Sequence, residues 1–183
     1  MNQCLPGAGA KPAGHTFHQP KRIKMRALLM TLVIIVSFHS CRDENDLTEN
    51  EKKNISADVI KTLHQYHEDI KKSGLTAELK YFDNSPNFFW VPPGFGGPIN
   101  YDSVVNILTR NAPAFKAVNN SFVTLKVFPL TRNYVTYTAT IQSHLYDTMG
   151  MNTNNLFLET GVMIKRRDGW KLLNGQTSEV RAR

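Results

Sequence analysis

Two histidines three residues apart, His64 and His67, are the first candidates for chemistry in this chain. On a helix this spacing places both imidazoles on one face, beside Glu68 and Asp69. A zinc site would need a third ligand from elsewhere in the fold, such as His144. The pattern lacks an H-E-x-x-H motif, so we expect these histidines to be solvated or hydrogen-bonded, with no metal or cofactor bound.

A loop rich in proline and glycine, P-P-G-F-G-G-P, occupies residues 92–98. It lacks the spacing and the following lysine of a phosphate-binding loop, so we interpret it as a pocket-rim or strand-connecting loop. No serine stands in a G-x-S-x-G turn, and residues 42–183 contain no cysteine nucleophile. These residue types therefore do not identify a reaction.

Most of the net positive charge lies in the first 41 residues. The first 41 residues contain five basic residues and no acidic one: Lys11, Lys21, Arg22, Lys24 and Arg26. Without these five, the balance of 22 basic and 15 acidic residues becomes 17 and 15, so the net charge falls from +7 to +2. A near-neutral remainder argues against a nucleic-acid partner, because such proteins concentrate Lys and Arg on one face.

Residues 25–41 are typical of an export signal. Their mainly apolar run of 12 residues, 27–38, is too short for a membrane span of about 20 residues but fits a secretory signal. Cys41 follows this run and resembles the lipidation site of a bacterial lipoprotein, which predicts an exported, membrane-anchored protein. An ordinary secretory signal that releases a secreted or periplasmic protein is the alternative.

The remaining sequence divides into three parts. Residues 1–24 lack an apolar period and are predicted to be disordered or an upstream start-site artefact, with Met25 as the initiator. Residues 42–53 read R-D-E-N-D-L-T-E-N-E-K-K and are predicted to form a polar tether. Residues 54–183 suit one domain, whose stability must come from its core because it has no cysteine for a disulfide.

The first half of this domain is predicted to be mainly helical. Apolar residues recur at three- and four-residue spacing between Asn54, a helix-cap type, and Gly74, a helix stop. Pro113 should kink the third helix or end its first part. Helices are expected at residues 54–74, 75–82 and 101–118, and a short aromatic strand is expected at residues 87–91.

Long strands follow the helices, at residues 122–130, 134–147, 156–166 and 170–180. In the first of them, Val123, Leu125 and Val127 are expected to share one face. The second alternates an apolar face, which begins with Val135 and Tyr137, with a polar face of threonines. Helices first and antiparallel strands last is typical of the α+β class.

The most informative stretch is the last hairpin, residues 160–178, which reads T-G-V-M-I-K-R-R-D-G-W-K-L-L-N-G-Q-T-S. Asp168 and Gly169 are expected in its turn, because both central residues of a type I′ turn need positive φ. Alternation along the returning strand then places Trp170, Leu172, Asn174 and Gln176 on one face.

This hairpin, together with the order of helices and strands, resembles the nuclear transport factor 2-like superfamily over about residues 54–180. The closest pattern is that of its SnoaL-like branch, whose last hairpin reads roughly T-x-V-x-x-x-R-x-D-G-x-W-x-[IL]-x-x-x-H-x-S. Gln176 stands here where the histidine of that motif is expected, and the spacer between Gly169 and Trp170 is missing.

The resemblance implies an α+β fold in which three N-terminal helices pack on a strongly curved antiparallel sheet and form a cone with a pocket. Members commonly dimerise across the open sheet face, so it also implies a homodimer. The residues that we place near the pocket are Tyr66, Phe89, Trp90, Tyr137, Glu159 and Gln176.

Ketosteroid isomerases of this superfamily use a carboxylate base, a tyrosine and a protonated acid. Their base would fall on Val91 here, before Pro92, and only Tyr66 and Glu159 remain as candidates for the other parts. We therefore favour a non-catalytic cell-envelope domain that binds a small apolar or amphipathic ligand, or a protein partner.

The alternative function is an enzyme of the isomerase, dehydratase or cyclase type. Convergence of Tyr66, Glu159 and Gln176 in an enclosed pocket would favour the enzyme, whereas an aromatic pocket without a titratable group would favour binding. A filled cone without a pocket would indicate a structural or assembly module.

Overall fold

The computed structural model describes residues 46–180 of the chain. Residues 1–24, the export signal with Cys41 and the start of the tether lie outside this range, so these interpretations stay predictions. None of the helices within residues 46–180 is both long and apolar enough to cross a membrane.

Helix α1 (Glu49–Ser73) is the long amphipathic helix, but it begins earlier than the sequence predicts. The Thr48 hydroxyl accepts a hydrogen bond from the Glu51 amide at 3.2 Å, and the Glu51 carboxylate accepts one from the Thr48 amide at 2.9 Å. This reciprocal pair is a capping box, which starts a helix by satisfying two free N–H groups. Residues 49–53, predicted as part of the tether, therefore belong to α1.

Two short helical segments follow α1. A 3-10 helix (Leu75–Tyr81) occupies the position of the predicted second helix. Helix α2 (Tyr101–Asn111) begins at Asn100, whose side chain accepts a hydrogen bond from the Ser103 amide at 2.9 Å. The predicted extension of this helix to residue 118 is wrong. Pro113 lies in a short 3-10 turn (Ala112–Ala114), and the chain continues from there as a strand.

Within residues 46–180, five strands form one curved sheet in the order β1-β5-β4-β3-β2. Neighbouring strands are antiparallel except β1, which pairs with β5 in parallel. The helices pack on its inner face, as in the predicted α+β cone. The strands are β1 (Phe89–Val91), β2 (Phe115–Pro129), β3 (Tyr134–Asp147), β4 (Asn152–Arg166) and β5 (Gly169–Glu179).

The core lies between the apolar stripe of α1 and the inner face of the sheet. The alternation predicted for β3 is confirmed, since its apolar residues face this core and its threonines face outward. Trp170 is also buried, on the same side as Leu172. The most completely buried large side chains are Val59, Leu63, Ile70, Val135, Tyr137, Met163 and Leu172.

The hairpin turn lies one residue earlier than predicted. Arg166 pairs with Gly169, so Arg167 and Asp168 occupy the turn, and Gly169 has a φ of +124°. Arg166 donates two hydrogen bonds to the carboxylate of Asp83, at 2.7 and 2.8 Å, which hold the pKa of Asp83 below its usual value. The arginine of the hairpin motif therefore fastens the hairpin to the segment that leads into β1.

Two β-bulges change which residues face the core. In β2 the register shifts between Phe122 and Thr124, which leaves Val123 59% exposed and places Phe122 against the core. The prediction that Val123 shares the apolar face is therefore wrong. In β5, Leu173 is the extra residue between Leu172 and Asn174, so inward and outward positions exchange beyond it.

Close contact between β1, β4 and β5 makes a destabilising substitution predictable. A Cβ added to Gly175 would lie 2.7 Å from Cζ3 of Trp90 and 2.8 Å from Cα of Gly161. We expect Gly175→Ala to lower the free energy of unfolding by about 1–3 kcal/mol, the usual cost of overpacking. Gly96→Ala is the matched control, because a Cβ there meets open space. Urea unfolding that shows equal stability for both variants would contradict this packing.

Candidate functional site

The inner face of the sheet and the helices form the walls of a half-open cavity of about 280 Å³. The cone is therefore not filled. Helix α1, the 3-10 helix and α2 close one side of it, and strands β1 to β5 supply the other. Most of the wall is apolar or aromatic, through Leu75, Phe82, Trp90, Ile99, Val104, Leu108, Val118, Ile141, Leu145 and Phe157.

Glu159 is a buried carboxyl on this wall, with 7% of its surface exposed. It lies on the inner face of β4, and the strand register pairs it with Thr177 of β5. One carboxyl oxygen accepts a hydrogen bond from the Tyr137 hydroxyl at 2.7 Å, and the other accepts one from Thr177 at 3.0 Å. Burial raises the pKa of Glu159 above its usual value, although both hydrogen bonds oppose the rise.

A second carboxyl, Glu78, lines the same cavity from the 3-10 helix. Residues three apart on a 3-10 helix lie on one side, which is why Leu75 and Glu78 both face the cavity. Burial raises the pKa of Glu78 to about 8, the Tyr66 side chain opposes this rise, and the charge of Glu159 adds to it. A glutamate with this pKa is mostly protonated at neutral pH.

Two tyrosines complete the polar side of the cavity. Tyr66 lines it from α1, whereas Tyr137 lies behind Glu159 and is only 1% exposed. Burial raises the pKa of both phenols well above the usual value, and nearby carboxyls add to the rise. Both hydroxyls therefore keep their protons, and the Tyr137 hydroxyl donates its hydrogen bond to Glu159.

His67 differs from what its sequence suggests. It was expected to be solvated or hydrogen-bonded, but it is 6% exposed and neither ring nitrogen has a hydrogen-bond partner within residues 46–180. Its ring packs against Phe122 with centroids 4.5 Å apart, and it lines the cavity. Burial, with a smaller effect of His64, lowers the pKa of His67 to about 4, so the imidazole is neutral near pH 7.

The six residues placed near the pocket from sequence occupy different positions. Tyr66, Trp90 and Glu159 line the cavity, and Tyr137 lies one layer behind it. Phe89 is 42% exposed, because it alternates with the inward-facing Trp90 on β1.

Gln176 also faces away from the cavity. The bulge at Leu173 reverses the alternation of β5, so Thr177 faces inward beside Glu159 and Gln176 is exposed. Val91, at the position of the isomerase base, likewise follows the inward-facing Trp90 and does not line the cavity. The sequence prediction missed Glu78 and Thr177. The only signal for Glu78 was its spacing of three from Leu75.

Solved structures of other proteins share the fold of this chain, although its sequence matches no family model. No protein-family model matches the sequence, and no curated protein matches it significantly. A structure described as a candidate scytalone dehydratase from Novosphingobium aromaticivorans DSM 12444 matches with a TM-score of 0.63 and 9% identity, over 73% of this chain and 89% of that chain. A candidate dehydratase of the nuclear transport factor 2-like family from Streptomyces avermitilis matches with a TM-score of 0.60 and 16% identity, over 69% and 97% of the two chains.

The protein has the nuclear transport factor 2-like fold. Hexachlorocyclohexane dehydrochlorinase from Novosphingobium barchaimii LL02 shares this fold, with a TM-score of 0.59 and 9% identity over 73% of this chain and 92% of that chain. The fold predicted from the hairpin and the element order is therefore confirmed. At these identities the likeness concerns the fold and does not assign an activity.

The raised pKa of Glu78 makes the stability of the folded domain depend on pH. The unfolded chain releases the Glu78 proton near pH 4.5, whereas the folded state holds it up to about pH 8. The folded state binds more protons between these values, so the free energy of unfolding must fall as pH rises through this window. We expect Glu78→Gln to remove a fall on the order of 1–3 kcal/mol.

Urea unfolding at pH 5 and pH 8 measures this effect. The wild type should lose stability between the two values and Glu78→Gln should lose less, with Glu159 contributing a fall of the same sign. Glu68→Gln, an exposed position on α1, is the control and should behave as the wild type. An unchanged fall in Glu78→Gln would show that Glu78 is not desolvated in the folded state.

Proposed function

We propose that the cavity is an acid–base active site for a small, uncharged and mainly apolar molecule that carries an oxygen. One observation supports this most strongly: two carboxyls, Glu78 and Glu159, face one half-open and mainly apolar cavity, together with Tyr66. Apolar walls bind a ligand by removing its surface from water, at about 25 cal/mol per Å². The few polar groups then fix its orientation.

The charge of the cavity wall favours an uncharged ligand. Within residues 46–180, neither Lys nor Arg lines the cavity, so no cation is present to neutralise an anionic group. Near pH 7 Glu78 is mostly protonated and His67 is neutral. A protonated carboxyl donates a hydrogen bond, which suits a carbonyl or hydroxyl oxygen.

Glu78 is the group we propose to transfer the proton. A pKa of about 8 lies close to neutral pH, where a carboxyl can both accept and return a proton. In the carboxylate form it would take a proton from a carbon next to a carbonyl, and the electron pair would move onto the carbonyl oxygen. Returning the proton to another carbon gives isomerisation, and loss of a leaving group gives elimination.

Glu159 is suited to a different role from Glu78. Both of its oxygens already accept hydrogen bonds, from Tyr137 and Thr177. The charge of Glu159 raises the pKa of Glu78, so Glu159 loses its proton before Glu78 does. We propose that the Glu159 carboxylate, together with burial, keeps the pKa of Glu78 close to neutral pH, and that Glu78 exchanges the proton with the ligand.

A non-catalytic domain was favoured because Val91 stands at the position of the isomerase base. Val91 does not line the cavity, and Glu78 supplies a carboxyl there. Gln176 does not join Tyr66 and Glu159 in the cavity, so the proposal depends on Glu78 in its place. Fold neighbours described as dehydratases and as a dehydrochlorinase support elimination as a chemistry that this fold can hold. The following experiment distinguishes catalysis from binding without reaction.

Exchange of carbon-bound hydrogen tests the proposed proton transfer. Cyclohexanone and 2-tetralone, incubated with the protein in deuterated buffer and followed by NMR, should exchange faster than with heat-unfolded protein. The rate should rise with pH up to about pH 8, because Glu78 must be ionised to act as the base. Glu78→Gln should lower it by about 100-fold or more.

Glu68→Gln is again the control and should exchange at the wild-type rate, since Glu68 is exposed and does not line the cavity. If both ketones bind but exchange no faster than with unfolded protein, the cavity is a binding site and not an active site. The pH series also separates Glu78 from Glu159, because Glu159 loses its proton before Glu78 does.

The cellular setting is proposed from the sequence. Residues 25–41 support export and lipidation at Cys41, and Cys41→Ala should move the protein from the membrane fraction to the soluble fraction.

A homodimer through the outer sheet face is supported by exposed apolar residues on that face, Phe89, Phe128 and Leu158. A monomer in sedimentation analysis, or unchanged membrane association of Cys41→Ala, would contradict the respective proposal.

A further inference from the structure

A second polar cluster lies in the cavity, apart from the carboxyls. Asn120 of β2 and Ser143 of β3 are a directly opposed cross-strand pair, and both line the cavity. His67 of α1 lines it as well. Three polar side chains, His67, Asn120 and Ser143, which we call the histidine–asparagine cluster, therefore interrupt an otherwise apolar stretch of wall.

Two members of this cluster have polar atoms without a partner. The Oδ1 atom of Asn120 and both ring nitrogens of His67 are buried and make no hydrogen bond within residues 46–180. His67 is 94% buried, since its exposure is 6%. A buried polar group left unpaired costs roughly 1–3 kcal/mol, so such groups in a cavity wall are expected to meet a polar group of a ligand.

The strand register places the cluster at a distance from Glu159. On β3, Ala139 pairs with Glu159, Ile141 pairs with Phe157, and Ser143 pairs with Asn120. Ala139 and Ser143 are four residues apart, which is about 13 Å along a strand. Ile141 and Phe157 form an apolar belt between the two polar ends, and both line the cavity.

We propose that the ligand of this cavity is a molecule with an apolar middle and an uncharged hydroxyl group at its far end, which the histidine–asparagine cluster binds. The proposal rests on the proposed function, because it describes the other end of the molecule that Glu78 and Glu159 hold. The hydroxyl donates to Oδ1 of Asn120 and accepts from the N–H of the neutral His67 imidazole. A ligand without this hydroxyl leaves those atoms unpaired.

Three rigid probes of the same width separate the two ends. Biphenyl has no hydroxyl, 4-hydroxybiphenyl has one, and 4,4′-dihydroxybiphenyl has one at each end. Binding can be followed by tryptophan fluorescence, since Trp90 lines the cavity. For the wild type we expect the dihydroxy probe to bind about five- to tenfold more tightly than the monohydroxy probe. This is the gain in affinity that one additional hydrogen bond usually gives.

Asn120→Leu removes the acceptor at nearly the same size. It should bring the two hydroxylated probes to equal affinity and leave binding of 4-hydroxybiphenyl within twofold of the wild type. Asn119→Leu is the matched control, because Asn119 is exposed on the outer face of β2, and it should keep the wild-type preference. His67→Phe replaces the unpaired nitrogens with carbon and should also abolish the preference for the dihydroxy probe. This variant provides the test if Asn120→Leu does not fold.

The possible results distinguish this inference from the proposed function. Equal wild-type affinity for the two hydroxylated probes overturns the inference and leaves the acid–base site standing, with the cluster holding water. Retention of the preference in both Asn120→Leu and His67→Phe assigns the second hydroxyl to other residues and also overturns it. Failure of all three probes to bind overturns the inference together with the cavity as a ligand site, which ketone exchange tests independently.

Discussion

Burial of one ionisable side chain, Glu159, on the inner face of the sheet is the constraint on which the site depends. A carboxyl removed from water is costly unless its oxygens are paired, and here Tyr137 and Thr177 pair both of them. These three residues come from three adjacent strands, so their contact requires the register of β3, β4 and β5 to be held together. Any slip of one residue would turn one of them outward.

The bulge at Leu173 is part of this constraint. Without the extra residue, Gln176 and not Thr177 would face Glu159, as simple alternation predicts. The approach of Trp90 to Gly175 then fixes β1 against β5 and closes the wall of the cavity. The rest of the core, between α1 and the sheet, must stabilise the fold enough to tolerate two desolvated carboxyls and an unpaired histidine.

The sequence predicted the parts of this structure that depend on regular periods. Three- and four-residue spacing identified α1, and strict alternation identified both faces of β3. Bulges break that alternation, so Val123 and Gln176 were placed on the wrong face. The capping pair of Thr48 and Glu51 was readable as a T-x-x-E pattern, but the polar composition around it favoured a tether.

The candidate site was less predictable than the fold, because its members depend on tertiary contacts. Tyr66, Trp90 and Glu159 were predicted near the pocket and line the cavity. Glu78 was missed, because its raised pKa depends on burial and on the neighbouring Glu159, which are set by tertiary contacts. His67 could not be recognised as unpaired from sequence, since its neighbours across the cavity come from β2 and β3. The sequence shows which side chains can ionise or form hydrogen bonds. It does not show which of them are buried, and burial changes their pKa values.

Direct titration of Glu78 and Glu159 tests the central claim, that the apolar cavity raises the pKa of both carboxyls. The measurement is an NMR titration of protein labelled with ¹³C at the glutamate carboxyls, with Glu78→Gln and Glu159→Gln used to assign the signals. We expect the Glu78 carboxyl to titrate near pH 8 and the Glu159 carboxyl above the usual glutamate value of 4.5. Titration of both near pH 4.5 would contradict the account.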